Sequence, residues 1–209
     1  MQISPGAGVE IGHDSCRLSS QDNPGEQDMQ VRMLDASGVA AHAAQLRGLL
    51  LDAVAHGASV GFVMPLGEAE ADAYWQDVRD AVAAGTRILL VGWREHVMVG
   101  TVQLDLCTKP NGLNRAEVQK LLVHSGARRL GVATALMAAA EMQALALRRG
   151  LLFLDTEAGS NAEALYKQLG YTRVGELPEY CATPGGAWRA TAIWYKTLFV
   201  RERQGALHT

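Results

Sequence analysis

At Gly85 the apolar pattern of this chain changes its period, and that change bounds the folds open to it. Upstream, over residues 39–56 and 66–84, apolar side chains recur at helical spacing. Leu46, Leu49, Leu50 and Ala53 share one face of the first segment, and Ala71, Tyr74, Trp75, Val78 and Val82 share one face of the second. Gly57 and Gly85 stand where each pattern stops, as glycines that end helices do. Downstream the spacing becomes two, which predicts strands over residues 87–93, 96–106 and 116–123. Lys109-Pro110-Asn111-Gly112 supplies turn chemistry between the last two. A first strand is expected at residues 30–34, ahead of the helices.

The period then alternates. A long helix is expected over 129–149, stopped by Gly150, followed by a strand over 151–155. Ser160-Asn161-Ala162-Glu163 has the form of a capping box, opening a short helix that ends at Gly170. Two strands follow, about 171–174 and 191–198. This order implies an α/β or α+β fold, a sheet with helices on its faces. Residues 1–28, rich in Gly, Pro, Ser, Asp and Gln, read as a flexible N-terminal tail, 29–199 as one domain and 200–209 as a polar C-terminal tail.

Composition narrows the function. A formal charge of -3 gives no electrostatic footprint for nucleic acid or an anionic membrane surface. Residues 130–147 are apolar, yet Glu141 and Gln143 within them favour a buried helix over a span. Cys16, Cys107 and Cys181 are odd in number and widely spaced, so neither a disulfide framework nor a metal pair is expected. With no basic stretch leading into an apolar one at the N-terminus, a cytoplasmic protein is the simplest expectation.

The segment with most chemical content runs from His124 to Ala133 and joins a strand to the long helix. The first turn of a helix has backbone N–H groups without intrahelical partners, and the aligned peptide dipoles place partial positive charge there. Phosphate oxygens suit such a site. Gly131 and Ala133 lack bulk, and Arg128 or Arg129 can add charge-assisted hydrogen bonds. Gly126 and Gly131 have P-loop spacing, but Val132-Ala133 stands where Lys-Ser/Thr is required, which argues against nucleotide hydrolysis. A ligand-free loop remains open on this motif alone. Gly6 and Gly8 have no preceding strand and are not read as a second phosphate loop.

Arg128-Arg129-Leu130-Gly131-Val132-Ala133, placed after a strand and opening a long helix, resembles the signature of the GNAT N-acetyltransferase superfamily. So does the downstream half: a strand, a short helix carrying Leu165-Tyr166, then Gly170-Tyr171 entering the next strand. The resemblance covers roughly residues 29–199. It implies a mixed, mostly antiparallel, splayed sheet flanked by helices, with acetyl-CoA as cosubstrate in the cleft. Three blocks, from Lys109 to Leu121, from Leu154 to Ser160 and from Tyr171 to Pro178, resemble more narrowly the tabtoxin-resistance acetyltransferases, which act on a toxic β-lactam amino acid. Many members of the superfamily carry an Asn seven residues before the helix Tyr. Here Gly159 stands there, with Asn161 nearby.

The resemblance implies that Leu121, Leu122 and Val123 face the thioester and pantetheine arm. It also implies that Arg128, Arg129, Leu130, Gly131, Val132 and Ala133 hold the pyrophosphate and that Asn161 helps hold the cosubstrate. Acetyl transfer to an amine needs a proton acceptor, a nearby thioester and a donor for the departing thiolate. Glu117, on one strand face with Gln119 and Leu121 by period two, is the candidate base. Its spacing alone favours a strand-surface carboxylate paired with Lys or Arg, and it is the resemblance that points to a base. Tyr166 is the candidate acid, or a core aromatic. Asp155, at a strand end, is a candidate to orient the amine, or a turn cap. No H-x-x-x-H or H-E-x-x-H pair occurs, so no metal is expected; His124 reads as a strand end, His42 and His56 as helix residues, and Cys107 and Cys181 as inert thiols.

These readings lead to an acetyl-CoA-dependent N-acetyltransferase acting on a primary amine of a small molecule, such as an amino-acid-like toxin or antibiotic. Glu157 and Glu179 add to the acidity near the expected site and suggest a cationic acceptor. The alternatives are a non-catalytic acyl-CoA sensor and an acetyltransferase of a protein amine. A loop over residues 177–188 covering the acceptor pocket would argue against a protein acceptor. Monomer and homodimer both stay open.

Overall fold

The computed structural model of the chain describes residues 29–200. The expected tail at 1–28 and, but for Val200, the one at 200–209, with His13, Cys16, His208 and the Gly6–Gly8 segment, lie outside the described residues. Twelve elements follow in order: β1 (Met29–Leu34), α1 (Ala36–Ala41), α2 (Ala43–Ala55), α3 (Glu68–Ala83), β2 (Arg87–Arg94), β3 (Val97–Leu106), β4 (Arg115–Val123), α4 (Val132–Ala146), β5 (Leu151–Glu157), α5 (Asn161–Gln168), β6 (Thr172–Ala182) and β7 (Trp188–Thr197). The strands form one sheet in the order β1-β2-β3-β4-β5-β7-β6. Only β4 and β5 pair in parallel, so the expected mixed, mostly antiparallel sheet is what forms.

The helix expected over 39–56 is two helices. Asp35 caps α1 by accepting the Gly38 N–H at 2.7 Å, and the chain breaks at His42, whose φ of -108° and ψ of 16° leave the helical region. The His42 ring packs edge-on against Trp93, with centroids 5.0 Å apart, and its Nδ1 bonds the Gln45 side chain, so tertiary contacts hold the break. The long helix runs only from Val132 to Ala146, because Arg129 and Gly131 both take positive φ before it. The capping box at Ser160 does not close. The Ser160 side chain caps nothing, and Glu163 reaches past it to accept the Gly159 N–H at 2.7 Å. The strand expected at 171–174 extends to Ala182, and most of the 177–188 loop is the end of a β6–β7 hairpin.

Helices cover both faces. Leu46, Leu50, Trp75 and Val78 from α2 and α3 pack on Leu89 and Val91. On the other face α4 lays Val132, Leu136, Met137 and Ala140 against Val102, Leu104, Val118, Leu152 and Leu154. Each buried Leu, Val or Met among them contributes about 1.5–3 kcal/mol through apolar burial. The close approach of α4 depends on Gly100: a Cβ there would lie 2.7 Å from the Leu122 carbonyl oxygen and 3.0 Å from Leu136 Cδ1. Among the described residues, no helix is long and apolar enough to cross a membrane.

Candidate active site

The sheet opens where β4 and β5 part. Their parallel pairing covers only Arg115 to Glu117 against Leu151 to Phe153, so the β5-facing edge of β4 is unpaired from Val118 onward. Here lies a cleft of about 960 Å³. A β-bulge shapes its wall. Thr101 opposes Leu122 and Gln103 opposes Gln119, so Val102 faces both Lys120 and Leu121. Lys120 carries the left-handed φ of 48° that the bulge needs, and Thr101 Oγ1 donates to its carbonyl at 3.3 Å. The extra residue breaks the period-two face expected from Glu117. Gln119 stays on that face, whereas Leu121 turns to the α4 side and Leu122 takes its place.

The His124–Ala133 segment closes one end of the cleft. His124 Nδ1 accepts the Gly126 N–H at 3.1 Å, starting a single 3-10 turn over Ser125–Ala127. Arg129, at φ 66°, and Gly131, at φ 78°, then turn the chain into α4. No side chain caps α4. Its first-turn N–H groups are therefore left for a ligand or solvent. The exposed Arg128 and Arg129 line the same end, with no ion pair among the described residues. A loop built around positive φ, uncapped amides and two free guanidinium groups fits a pyrophosphate. It is anchored from below by Asp52 on α2, which accepts both the Ser125 N–H and hydroxyl at 2.7 Å. Burial alone would raise the Asp52 carboxyl, but the two Ser125 bonds outweigh it and hold the group below its ordinary value.

Glu117, Asp155 and Tyr166, predicted from sequence on three separate elements, meet in this cleft. Asp155 sits within β5 rather than at its end, opposite Ile193, and its Oδ2 accepts from the buried Thr191 hydroxyl at 3.0 Å. Glu117 is half-buried opposite Asp105. Burial pushes its carboxyl above the ordinary value, and the nearby Asp155 and Asp105 charges push the same way against the Gln119 amide and Lys120. A base raised in this way is better matched to proton abstraction near neutrality. Tyr166 is 6% exposed and packs beside Tyr171 and Trp194, with centroids 5.9 and 6.5 Å away. Burial, with the Asp155 charge, pushes its phenol up to about 12. The proton is held at neutral pH, as a proton donor requires.

Residues 56–61, after α2, and Tyr180 and Cys181 from β6 line the other side of the cleft. The two segments touch: Met64 N–H donates to the Pro184 carbonyl at 2.8 Å, and Ser59 Oγ lies 3.7 Å from Cys181 Sγ. A hairpin end, not the expected loop, therefore closes this side.

The expected cosubstrate residues Leu121, Leu122, Val123, Arg128, Arg129, Gly131, Val132, Ala133 and Asn161 also line the cleft. Leu130 does not: it is 53% exposed and points away, because Arg129 and Gly131 reverse the chain on either side of it. Gly159 takes φ 78°. That conformation suits Gly and, among side-chain-bearing residues, Asn best. Sequence reasoning missed Asp52, Ser125, Lys120 and Thr191. An apolar-period reading has no signal for a helix carboxylate that bonds a loop 73 residues away. Among the described residues no His, Cys, Asp and Glu group could hold a metal.

The fold has solved counterparts. yncA of Salmonella typhimurium, solved with its cofactor acetyl-CoA, superposes with a TM-score of 0.67 at 18% identity, over 85% of this chain and 98% of that one. The ribosomal-protein-alanine N-acetyltransferase of Brucella melitensis gives 0.65 at 22%, over 80% and 99%. Aminoglycoside 6'-acetyltransferase type Ii gives 0.61 at 20%, over 82% and 99%. The family model described as acetyltransferase (GNAT) family matches residues 51–171, which include the β4 bulge, the anion loop and Tyr166. With that match over more than half its length and the splayed sheet it implies, this chain belongs to the GNAT acetyltransferase family.

Proposed function

We propose that this protein transfers an acetyl group from acetyl-CoA directly to a primary amine of a small molecule, an amino-acid-like toxin or antibiotic being the favoured class. The observation that carries the reading is the meeting of Glu117, Asp155 and Tyr166 in one cleft whose far end is the anion loop. Arg128, Arg129, Gly131, Val132 and Ala133 hold the pyrophosphate, and the open edge of β4 at Leu121 to Val123 aligns the pantetheine arm. Asp155, held by Thr191, orients the ammonium, which loses one proton to solvent, and Glu117 takes a second, directly or through water, as the amine attacks. The amine nitrogen forms a bond to the acyl carbon as the carbon–sulfur bond breaks. Tyr166 gives its proton to the departing thiolate, which Glu117 can replace through solvent. Confining both reactants to one cleft removes much of the entropic barrier to a two-substrate reaction.

Two features favour a small acceptor over a protein amine. The α2–α3 connection and the β6–β7 hairpin are joined across the acceptor side, and three carboxylates, Glu117, Asp155 and Glu157, line the cleft. The test is CoA thiol release over an amine panel that includes β-lactam amino acids and amino-sugar antibiotics. Turnover with members of the panel supports the reading. Tight acetyl-CoA binding without CoA release for any amine would identify a sensor instead.

A further inference from the structure

Lys120 is out of place in a cleft that only has to bind a cation. Apart from His56 and the loop arginines Arg128 and Arg129, it is the one basic side chain lining the cleft, and it sits in β4 next to the carboxylate cluster. Its head group lies on the face that carries Glu117 and Gln119. The ammonium is 5.9 Å from the Tyr74 ring centre, and the Tyr74 hydroxyl in turn accepts from Gln103, which opposes Gln119. A Cβ on Gly61 would be 3.4 Å from Nζ, so the α2–α3 connection closes over it.

Three of the neighbouring acids are engaged elsewhere, and Glu117 acts on Lys120 without forming an ion pair. Asp105 pairs with Arg87 at 2.5 Å, Glu157 with Arg189 at 3.8 Å, and Asp155 accepts from Thr191. Among the described residues Lys120 makes no ion pair. Half-burying an ammonium with an aromatic face beside it and no ion pair costs solvation, and it repels the cationic amine that the carboxylates attract. Burial, and after it Arg87, indeed lowers its affinity for a proton, against the pull of Asp155 and Glu117. Both costs are offset if the acceptor itself brings an anion.

We infer that Lys120 binds the carboxylate of the acceptor, so that the substrate is a zwitterionic amino acid whose reacting amine lies at Glu117 and Asp155. The assignment rests on the acetyltransferase reading of this cleft and makes Lys120 a specificity determinant. The bulge is what puts the two charges on one face of the strand, because the extra residue brings Lys120 to the face that Glu117 already occupies.

The test uses the whole chain with acetyl-CoA and follows CoA release with L-lysine, L-ornithine and a β-lactam amino acid, each beside its carboxamide. The wild type is expected to prefer the carboxylates in kcat/KM. Lys120→Met is expected to reduce the carboxylate-to-carboxamide ratio on the order of 10–100-fold, chiefly through KM, the scale of a lost hydrogen bond to a charged group. Lys120→Arg is expected to keep most of the ratio. Because the readout is a ratio within one variant, damage to the fold cancels. Equal use of acids and amides by the wild type overturns the assignment. So does a Lys120→Met loss that falls on kcat for both substrates alike, which would make Lys120 a proton carrier. No CoA release from the wild type with any amine, acid or amide, rejects the acetyltransferase reading itself and the assignment with it.

Discussion

Asp52 holds Ser125 with both carboxylate oxygens, Oδ2 on the backbone N–H and Oδ1 on the hydroxyl, each at 2.7 Å. A helix of the upstream half thus anchors the start of the loop that precedes α4. Replacing Asp52 with Ala should weaken acetyl-CoA binding about tenfold by calorimetry, the scale of a lost charged hydrogen bond, with kcat at saturating cosubstrate little changed. The carboxyl is held below its ordinary value. Its contribution is therefore present above the unfolded value and lost as pH falls through the depressed one. Acetyl-CoA affinity measured from about pH 5 to 9 should show no step from this group.

Glu117→Gln separates chemistry from stability. As a base it must be deprotonated, so activity rises with pH through its raised value. The variant should lose about 10²–10⁴ in kcat together with the acid limb of the rate profile. The linkage has the opposite sign. A folded value above the unfolded one contributes stability at low pH that is lost as pH rises through the folded value. Removing the ionised carboxylate should therefore leave the melting temperature at pH 8 equal or higher. A large fall in melting temperature with kcat intact would reassign Glu117 to a structural role.

Tyr166→Phe keeps the ring that packs beside Tyr171 and Trp194 and removes only the hydroxyl. We expect kcat to fall by about 10²–10⁴ while acetyl-CoA affinity holds. With the phenol at about 12, the wild type should show no alkaline loss from this group up to pH 10. An unchanged kcat in the variant removes Tyr166 from the mechanism.

Gly100→Ala tests the packing that brings α4 onto the sheet. The added methyl would meet the Leu122 carbonyl oxygen and the side chains of Leu136 and Val132. Overpacking of this kind costs about 1–3 kcal/mol, visible as a lowered melting temperature. Because Leu122 and Val132 also line the cleft, acetyl-CoA affinity should fall as well. A variant as stable and as tightly binding as the wild type would show that α4 has room to retreat.

Several elements were legible in one dimension because their physics is local. Leu46, Leu49, Leu50 and Ala53 announce a buried helix face by spacing alone, and all four are buried. Gly131 next to Val132-Ala133 marks a turn into a helix, and the chain turns there. The helix break at His42 was not legible, because the Trp93 ring that holds it comes from β2. Nor was the unmade capping box: Ser160 and Glu163 have the right spacing, but Glu163 also serves Arg173 and Trp194.

The amino-acid sequence by itself determined the alternation of helices and strands and the position of the anion loop, since periodicity and motif spacing are properties of neighbours along the chain, while Glu117, Asp155 and Tyr166 became candidates together with the resemblance to known acetyltransferases. Only the tertiary structure decided that β4 and β5 part after Glu117, that a bulge at Lys120 sends Leu121 and Leu122 to opposite faces, and that Asp52 anchors the loop. Each depends on a register or contact between distant segments. One added residue in β4 reverses which side chains face the cleft, and no pattern within β4 alone records where its partner β3 gives way.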